Sequence, residues 1–544
     1  MEQTSPFPLP GIYHGQRFLA TVVETRAQDN SPWVSVPIDE TDLSRGFRDI
    51  SFQQLNNAAN HAAHWLQQNL PATTEPFQCF AYAGPKDFLY PILAVAAAKI
   101  QKVIVLPSPL ITPEAQLRIF RQKKCTVYLR PASMAEHVAG ILQEAPEKLQ
   151  TLTVPELGEF MQDAEAAPYT YPKSWEEGKD DPWIVFHTSG TTGFPKPITY
   201  THRMMTAPDI AASLSDIENT HVHQYALQRW YTPLPSLHLT GTVMTLAMTS
   251  FVHMTAVVGP SAAPTPQLVA DILRYGQVDG ALLTPALIEE LCLLSSGLEA
   301  LRKLKYIHFA GAPLSPKAGA QLASHVHLVP CIGSTEAGGY FTTIPPRDHP
   351  SWDYVTFQKH AGAEFEHRFN DLHELVFVRR PDCPMQQIFS VYPDRDRFET
   401  NDLWVEHPDQ KGSWKIIGRT DDYVALAHAD GLHASLLEPE IESHPAVKTA
   451  LIGGHGRPAP VLVVEFFPEA EEGVLAAGQS LVDSLRPYID KVNARVHDCV
   501  KLSTDRVVVA SKDKPFVRTI KGSVARLQTL GLYEEEIAAL FERE

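Results

Sequence analysis

At 544 residues the chain exceeds one ordinary domain, so a large body joined to a smaller unit is the starting expectation. With 44% hydrophobic and 20% charged residues it reads as globular, and a net charge of −17 argues against a broad nucleic-acid surface. Six cysteines lie scattered without CxxC spacing, a pattern that suggests neither a zinc site nor a disulfide framework and fits a reducing, cytoplasmic setting.

The first ten residues are polar and proline-rich, with no charged-then-apolar leader pattern. Phe52, Leu55, Ala59, Ala62 and Leu66 recur at helical spacing and predict an amphipathic helix. Strands are predicted at Phe77–Ala81, Val103–Leu106 and Thr126–Leu129, with helices at Asp87–Ile100 and Pro113–Gln122 between them. That alternation predicts an α/β fold built on a parallel sheet with helices on both faces. Glu144 to Asp181 is acidic and proline-punctuated and reads as a connector leading to a buried strand at Trp183–Phe186.

The most apolar long stretch, Gly241 to Pro260, contains several threonines and His253, and reads as a buried helix followed by a strand rather than a membrane span. The alternation resumes with strands at Gly280–Leu283, Tyr306–Ala310 and His327–Ile332, and with helices starting at Pro285 and Ser315. After Leu372 the pattern turns antiparallel, with strands at Glu374–Val378, Leu403–Glu406 and Trp414–Ile417. From about Asp421 a compact α+β module follows: a helix near Leu437–Ser443, strands at Thr449–Ile452 and Val461–Phe466, a helix at Leu475–Val500 and a strand at Val507–Val509.

The run Thr188-Ser189-Gly190-Thr191-Thr192-Gly193-Phe194-Pro195-Lys196 directly follows a predicted strand. Two glycines let the backbone curl its N–H groups inward, and four hydroxyls and a lysine surround the curl, a set suited to a polyphosphate. It is not a Walker A loop, because the lysine falls three residues after the second glycine. Two further polar segments begin where strands end, Gly311-Ala312-Pro313 and Gly333-Ser334-Thr335-Glu336. Ligands of open α/β sheets gather at the carboxyl ends of strands, so these segments are expected to share one cleft with the loop. His221-His223 and His325-His327 alternate without further ligands nearby in sequence, and read as surface or strand histidines.

The nine-residue loop resembles the phosphate loop of the adenylate-forming (ANL) superfamily, and five further segments match that superfamily's motifs in order. The resemblance implies the ANL fold: a large N-terminal α/β body with an accessory β part, residues 1–420, and a small mobile α+β C-terminal lid, residues 421–544. It implies ATP and Mg²⁺ as cofactors. Thr188, Ser189, Gly190, Thr191, Thr192, Gly193, Lys196, Gly311, Ala312, Gly333 and Ser334 would bind nucleotide, Thr335 would contact the α-phosphate, and Glu336 would hold the metal. Ile332 stands where the family usually has an aromatic residue. Thr400-Asn401-Asp402 resembles the Thr-Gly-Asp segment, so Asp402 would hold the ribose hydroxyls. Gly418-Arg419-Thr420-Asp421-Asp422 resembles the hinge motif, with Arg419 on ribose or phosphate and Asp421 as pivot.

Pro235-Ser236-Leu237-His238-Leu239-Thr240-Gly241 resembles the segment that sets an aromatic or histidine beside the acyl carboxylate, which makes His238 catalytic. Pro515 to Arg526 resembles the segment bearing the adenylation lysine; Ser523 stands after the glycine where many relatives have lysine, so Lys521 takes the role, with Lys514 as the alternative. The acyl pocket walls are expected to include Trp230, His238, Ala310, Gly311, Cys331 and Ile332, and the acid to be aromatic, aliphatic or betaine-like.

Phe186-His187-Thr188 and Lys196-Pro197-Ile198 are similar to the adenylation domains of fungal carboxylic acid reductases and related synthetase-like enzymes. In those proteins a carrier domain with a phosphopantetheine thiol and a reductase domain follow, and Leu530 to Glu544 resembles their linker helix. No Gly-Gly-x-Ser carrier site or Gly-x-Gly-x-x-Gly loop occurs, so the chain is expected to be an excised adenylation unit or a standalone relative that reduces nothing itself. A freestanding acyl-CoA ligase and a catalytically silent nucleotide-binding module are the alternatives.

Overall fold

The computed structural model describes residues 15–143, 149–188, 195–217, 219–347, 351–369, 371–427, 430–468, 480–518 and 524–542. The chain divides into two compact units. The first holds the N-terminal region through Gly362 together with Val378–Arg397; the second gathers Ala363–Phe377 and Phe398–Glu544. The antiparallel segment around residue 400 is therefore grouped with the C-terminal module.

In the first unit, short apolar segments become parallel strands because helices on both sides leave neither sheet face wet. One six-stranded sheet runs Gln150–Thr153, Val127–Arg130, Cys79–Tyr82, Val103–Val105, Pro182–His187, Pro197–Thr201, with only the last strand antiparallel to its neighbour. The seven-stranded sheet runs His327–Cys331, Tyr306–Ala310, Gly280–Leu283, Arg229–Tyr231, Thr255–Val257, Pro32–Pro37, Phe47–Ser51. Its last pair is antiparallel and the rest parallel. The expected amphipathic helix spans Phe52–Asn69 and starts with a capping box between Ser51 and Gln54. It packs on Leu89–Lys99, whose residues are all buried. The buried Lys99 ammonium is satisfied by Glu24 at 2.5 Å, Asn56 and the Tyr169 carbonyl.

Two local differences from expectation have clear causes. The stretch read as a connector contributes the edge strand Gln150–Thr153, which is polar and mostly exposed and so carries no apolar alternation to betray it. The apolar segment from Gly241 becomes helix, but Val243–Met248 is a π-helical turn. Thr245 and Thr249 hydroxyls bond the carbonyls of Gly241 and Thr245, at 2.8 and 2.9 Å, and Trp33 donates its indole N–H to the Thr245 carbonyl. These extra partners suit a widened turn and account for the threonines. No helix among the described residues is long and apolar enough to cross a membrane.

The second unit begins as a four-stranded antiparallel meander, Ala363–Phe369, Leu372–Val378, Arg397–Glu406 and Ser413–Arg419. It continues through the hairpin Tyr423–Ala425/Gly431–His433 into a three-stranded sheet, Val447–Gly453, Val461–Phe466 and Val507–Val509. Side chains alternate across that sheet with period two. Ala450, Ile452, Leu462 and Val464 pack with Ile441 and Leu485 of the helices Glu438–Glu442 and Leu481–Asn493. Leu451, Val461 and Val463 pack instead with Phe516, Tyr533 and Ile537 near the last helices. The helix expected to run to Val500 ends at Asn493, whose side-chain amide bonds both the N–H and the carbonyl of Leu502 and turns the chain back; residues 469–479 lie outside the described set.

Candidate nucleotide and acyl site

The strand Pro182–His187 delivers the chain into the expected phosphate loop. The loop neck is clasped: Thr188 N–H donates to the Lys196 carbonyl at 3.0 Å, and Lys196 N–H donates to the Thr188 hydroxyl at 3.1 Å. Ser189, Gly190, Thr191, Thr192 and Gly193 lie outside the described residues. His187 Nε2 accepts from Ser108 N–H at 3.0 Å, so its proton sits on Nδ1 and is donated to the Thr188 carbonyl at 2.9 Å. Burial lowers its pKa, keeping this bridge in the neutral form. Lys196 is exposed, and its ammonium contacts the Tyr392 hydroxyl and lies 4.5 Å from that ring's centroid. Tyr392 was not legible in sequence, being 196 residues from Lys196.

At the carboxyl end of the seven-stranded sheet, Gly311 has φ +97° and opens the exposed Gly311–Pro313 segment after Ala310. The strand His327–Cys331 leads through Ile332 into a small hairpin in which Gly333–Ser334 pairs with Gly338–Gly339. Thr335 and Glu336 occupy its turn, partly exposed. Gly333 and Gly338 are required there: an added Cβ would meet the Gly338 carbonyl oxygen at 2.3 Å in the first case and Gln387 at 2.3 Å in the second. Tyr200, on the edge strand just beyond Lys196, donates to the Thr335 carbonyl at 3.0 Å. Thr335 is thereby tied to the strand Pro197–Thr201, which follows directly on Lys196. Burial, with the Glu336 charge as a smaller cause, pushes the Tyr200 phenol far up, so it remains a donor.

His238 caps the helix Leu239–Thr242 on a tight turn, its N–H bonded to the Pro235 carbonyl at 3.0 Å. Gly241 permits that turn, since a Cβ would meet the Pro235 oxygen at 2.1 Å. The His238 ring lies 6.5 Å from the His187 ring, near the loop neck. Ala310 and Cys331 are register partners, and His308 shares their face two residues along its strand. Trp230, expected in the pocket wall, is fully buried: it stacks on Tyr306 at 5.9 Å, packs on Gly280 and bonds the Gln224 carbonyl. Its side chain therefore presents no open face, and Tyr231 is equally buried. His325 is exposed and His327 opens the strand His327–Cys331, as expected, whereas His221 and His223 lie on the helix His221–Tyr225; His221 and His327 join a buried network around His308 and Gln224 assembled from distant segments.

In the second unit, Asp402 and Arg419 face each other across the meander in register, with Arg419 Nη1 3.1 Å from Asp402 Oδ1. Asp402 is 8% exposed, and the Thr400 hydroxyl accepts from its N–H at 3.1 Å. Asn401, where the resemblance leads one to expect glycine, has φ +61°. Asparagine tolerates this left-handed conformation better than most residues, which explains the exchange. Asn401 N–H donates to Glu374 at 2.9 Å, and its side-chain oxygen accepts from Thr420 at 3.2 Å.

Thr420–Asp422 forms a 3₁₀ turn; nothing is described of the Asp421 side chain, and Lys521 lies outside the described residues. The alternative lysine, Lys514, is committed to Glu536 at 2.5 Å and lies over Tyr533. Arg526 joins Asp422 at 3.3 Å and donates to Glu438 Oε1 at 2.7 Å, linking the Thr420–Asp422 turn to the helix Arg526–Leu532.

The family model for AMP-binding enzymes matches residues 31–362, and that for the AMP-binding enzyme C-terminal domain matches 421–544. The chain is 30% identical over 97% of its length to a carboxylic acid reductase of Neurospora crassa, covering 51% of that protein. It is 26% identical over 91% of its length to an adenylate-forming reductase of Serpula lacrymans, covering 46% of it. The chain thus spans about half the length of these relatives. Among solved structures, the adenylation domain of carboxylic acid reductase from Segniliparus rugosus superposes with TM-score 0.71 at 16% identity, over 98% of this chain and 95% of that one. ATP-bound MatB from Rhodopseudomonas palustris gives 0.71 at 17% identity, over 95% and 99%. Both likenesses establish the fold. The chain belongs to the AMP-binding enzyme family, as an adenylate-forming adenylation domain homologous to those of fungal carboxylic acid reductases and adenylate-forming reductases.

Proposed function

We propose that the chain activates a small carboxylic acid with MgATP and hands the acyl group to the phosphopantetheine thiol of a carrier domain. A carboxylate oxygen attacks the α-phosphorus, the bond to the bridging oxygen breaks, and pyrophosphate leaves. The thiol then attacks the acyl carbon, AMP leaves, and the thiol proton passes to solvent. The observation that carries the reading is the clasp joining Thr188, Lys196 and, through Tyr200, Thr335. It ties two nucleotide motifs, over a hundred residues apart in sequence, to adjoining strands.

In this reading Thr188–Gly193 and Lys196 hold the phosphates, Gly311, Ala312, Gly333 and Ser334 line the nucleotide site, and Asp402 and Arg419 hold the ribose. His238 stands beside the acyl carboxylate and shields the anhydride from water. Glu336 suits Mg²⁺: its carboxylate is partly exposed, forms no ion pair among the described residues, and offers the hard oxygen that ion prefers. When bound, Mg²⁺ neutralises charge on the departing pyrophosphate. Lys521 bridges carboxylate and α-phosphate. The engagement of Lys514 with Glu536 supports that choice. Residues 421–544 act as a lid pivoting at Asp421, in a cytoplasmic enzyme.

Two measurements test the reading. Lys521→Ala is expected to lose adenylation by orders of magnitude while still transferring acyl from supplied acyl-AMP; equal loss of both steps would remove that role. Acyl transfer should favour a pantetheinylated carrier over CoA, whereas preference for CoA would make the protein a freestanding ligase.

A further inference from the structure

Beside the expected acyl pocket, three soft or borderline donors converge from three elements. His308 lies on the strand Tyr306–Ala310, Cys331 ends the neighbouring strand, and His221 opens the short helix His221–Tyr225. His308 Nδ1 or Nε2, Cys331 Sγ and one His221 ring nitrogen all lie within 4.8 Å of one another. Cys331 Sγ is 3.5 Å from His308 Nδ1. A tetrahedral centre with a metal–sulfur bond of about 2.3 Å and a metal–nitrogen bond of about 2.1 Å sets that edge at about 3.6 Å.

The hydrogen bonds around the cluster fix which ring nitrogens carry protons. Gln224 Nε2 donates to His327 Nδ1 at 3.2 Å, and His327 passes its own Nε2 proton to the Pro345 carbonyl at 2.9 Å. The Gln224 carbonyl oxygen must then accept from His308 Nε2–H, 2.6 Å away. That leaves His308 Nδ1 as a lone pair turned toward Cys331, with the Tyr225 hydroxyl donating to it at 2.9 Å. The His221 ring bonds the Pro330 carbonyl, while its Nε2 is buried with no hydrogen-bond partner. An orphaned buried acceptor is costly unless something fills its place. Each donor imidazole is thus oriented through its other nitrogen, the arrangement that positions metal-bound histidines. His221 and Cys331 are partly exposed residues, whereas His308 is fully buried.

We propose that His221 Nε2, His308 Nδ1 and Cys331 Sγ form a site for one borderline divalent transition-metal ion, best matched by Zn²⁺. Two imidazoles and one thiolate suit that ion and not Mg²⁺ or Ca²⁺. A water completes four-coordination, and the Tyr225 hydroxyl gives up its hydrogen bond to His308 Nδ1 as the metal takes that lone pair. Binding forms the metal–sulfur bond and releases the Cys331 thiol proton to solvent, with no change of oxidation state. The ion pins the helix His221–Tyr225 to the floor formed by the two strands.

The test uses the whole chain, stripped of metal with a chelator and titrated with Co²⁺, then with Zn²⁺ against a chromophoric chelator. The expected result is one equivalent of Co²⁺ with an intense thiolate-to-cobalt charge-transfer band, displaced by Zn²⁺. Cys331→Ala should abolish the band, Cys499→Ala at an exposed cysteine should keep it, and Gln224→Leu should weaken Zn²⁺ binding by about 10- to 100-fold. Absence of the band in the unaltered chain, a test that needs no variant to fold, would overturn the proposal. So would a band that survives Cys331→Ala.

Discussion

Replacing Asn401 separates backbone conformation from side-chain bonding at the ribose motif. With φ at +61°, the residue occupies the left-handed region, where a Cβ costs roughly 1–2 kcal/mol for an ordinary L-residue. Asn401 offsets part of that locally, and its side-chain oxygen accepts from Thr420 at 3.2 Å in an exposed bond, which contributes about 0.5–1 kcal/mol at most. Asn401→Gly removes both the strain and the bond, so a net change within about 0.5 kcal/mol is expected, whereas Asn401→Ala loses about 1–2 kcal/mol. Asn401→Val adds β-branching and should lose more. Because Asp402 follows directly and Asn401 N–H anchors on Glu374, the strain should reach the nucleotide: KM for ATP should rise in the order Gly, Ala, Val. Thermal unfolding of each variant and ATP titration in the exchange assay read the two effects. If Asn401→Gly proved as damaging as Asn401→Val, side-chain bonding would outweigh conformation and the reasoning would fail.

Other perturbations follow the same logic. Tyr200→Phe strips the donor from the Thr335 carbonyl and should cost about 1–3 kcal/mol of folding stability together with a lower exchange rate; an unchanged rate would separate Tyr200 from the site. Tyr392→Leu should weaken ATP binding two- to fivefold by removing the ring beneath Lys196, about 0.5–1 kcal/mol at an exposed site, while Tyr392→Phe keeps most of it. Arg526→Met leaves Glu438 buried and unpaired, so about 3–5 kcal/mol is lost; adding Glu438→Leu should recover much of it, and no recovery would refute the pairing. Burial among aromatic rings lowers the His202 pKa from 6.5 to about 4. The unfolded chain therefore takes up the proton first, and stability falls as pH drops from about 6.5 toward 4, by up to about 3 kcal/mol. His202→Phe should flatten that acid limb in a pH series of unfolding temperatures.

Much of the fold was legible because its strands are short apolar runs bounded by turn residues. Gly280–Leu283, Tyr306–Ala310 and Val461–Phe466 match their expected limits, and Pro113–Gln122 begins with proline after a capping Thr112. Gln150–Thr153 escaped notice because an edge strand needs no apolar face, and Pro32–Pro37 because its parallel partner Thr255–Val257 lies far along the chain. Candidate site residues could be proposed from sequence only where chemistry is written contiguously. Thr188–Lys196 and Gly333–Glu336 announce themselves as runs, and Asn401 explains its departure from glycine once its φ is known. Tyr200, Tyr392 and the His221–His308–Cys331 cluster depend on contacts across tens to hundreds of residues, for which local pattern holds no signal.

The central claim is tested most directly by acid-dependent exchange of pyrophosphate into ATP, with Mg²⁺ and a panel of aromatic, aliphatic and betaine-like carboxylates. Exchange stimulated by one class of acid, and abolished in Lys521→Ala, is the predicted result and names the substrate type. Nucleotide binding without exchange for any acid across the panel would contradict adenylation and make the protein a silent nucleotide-binding module.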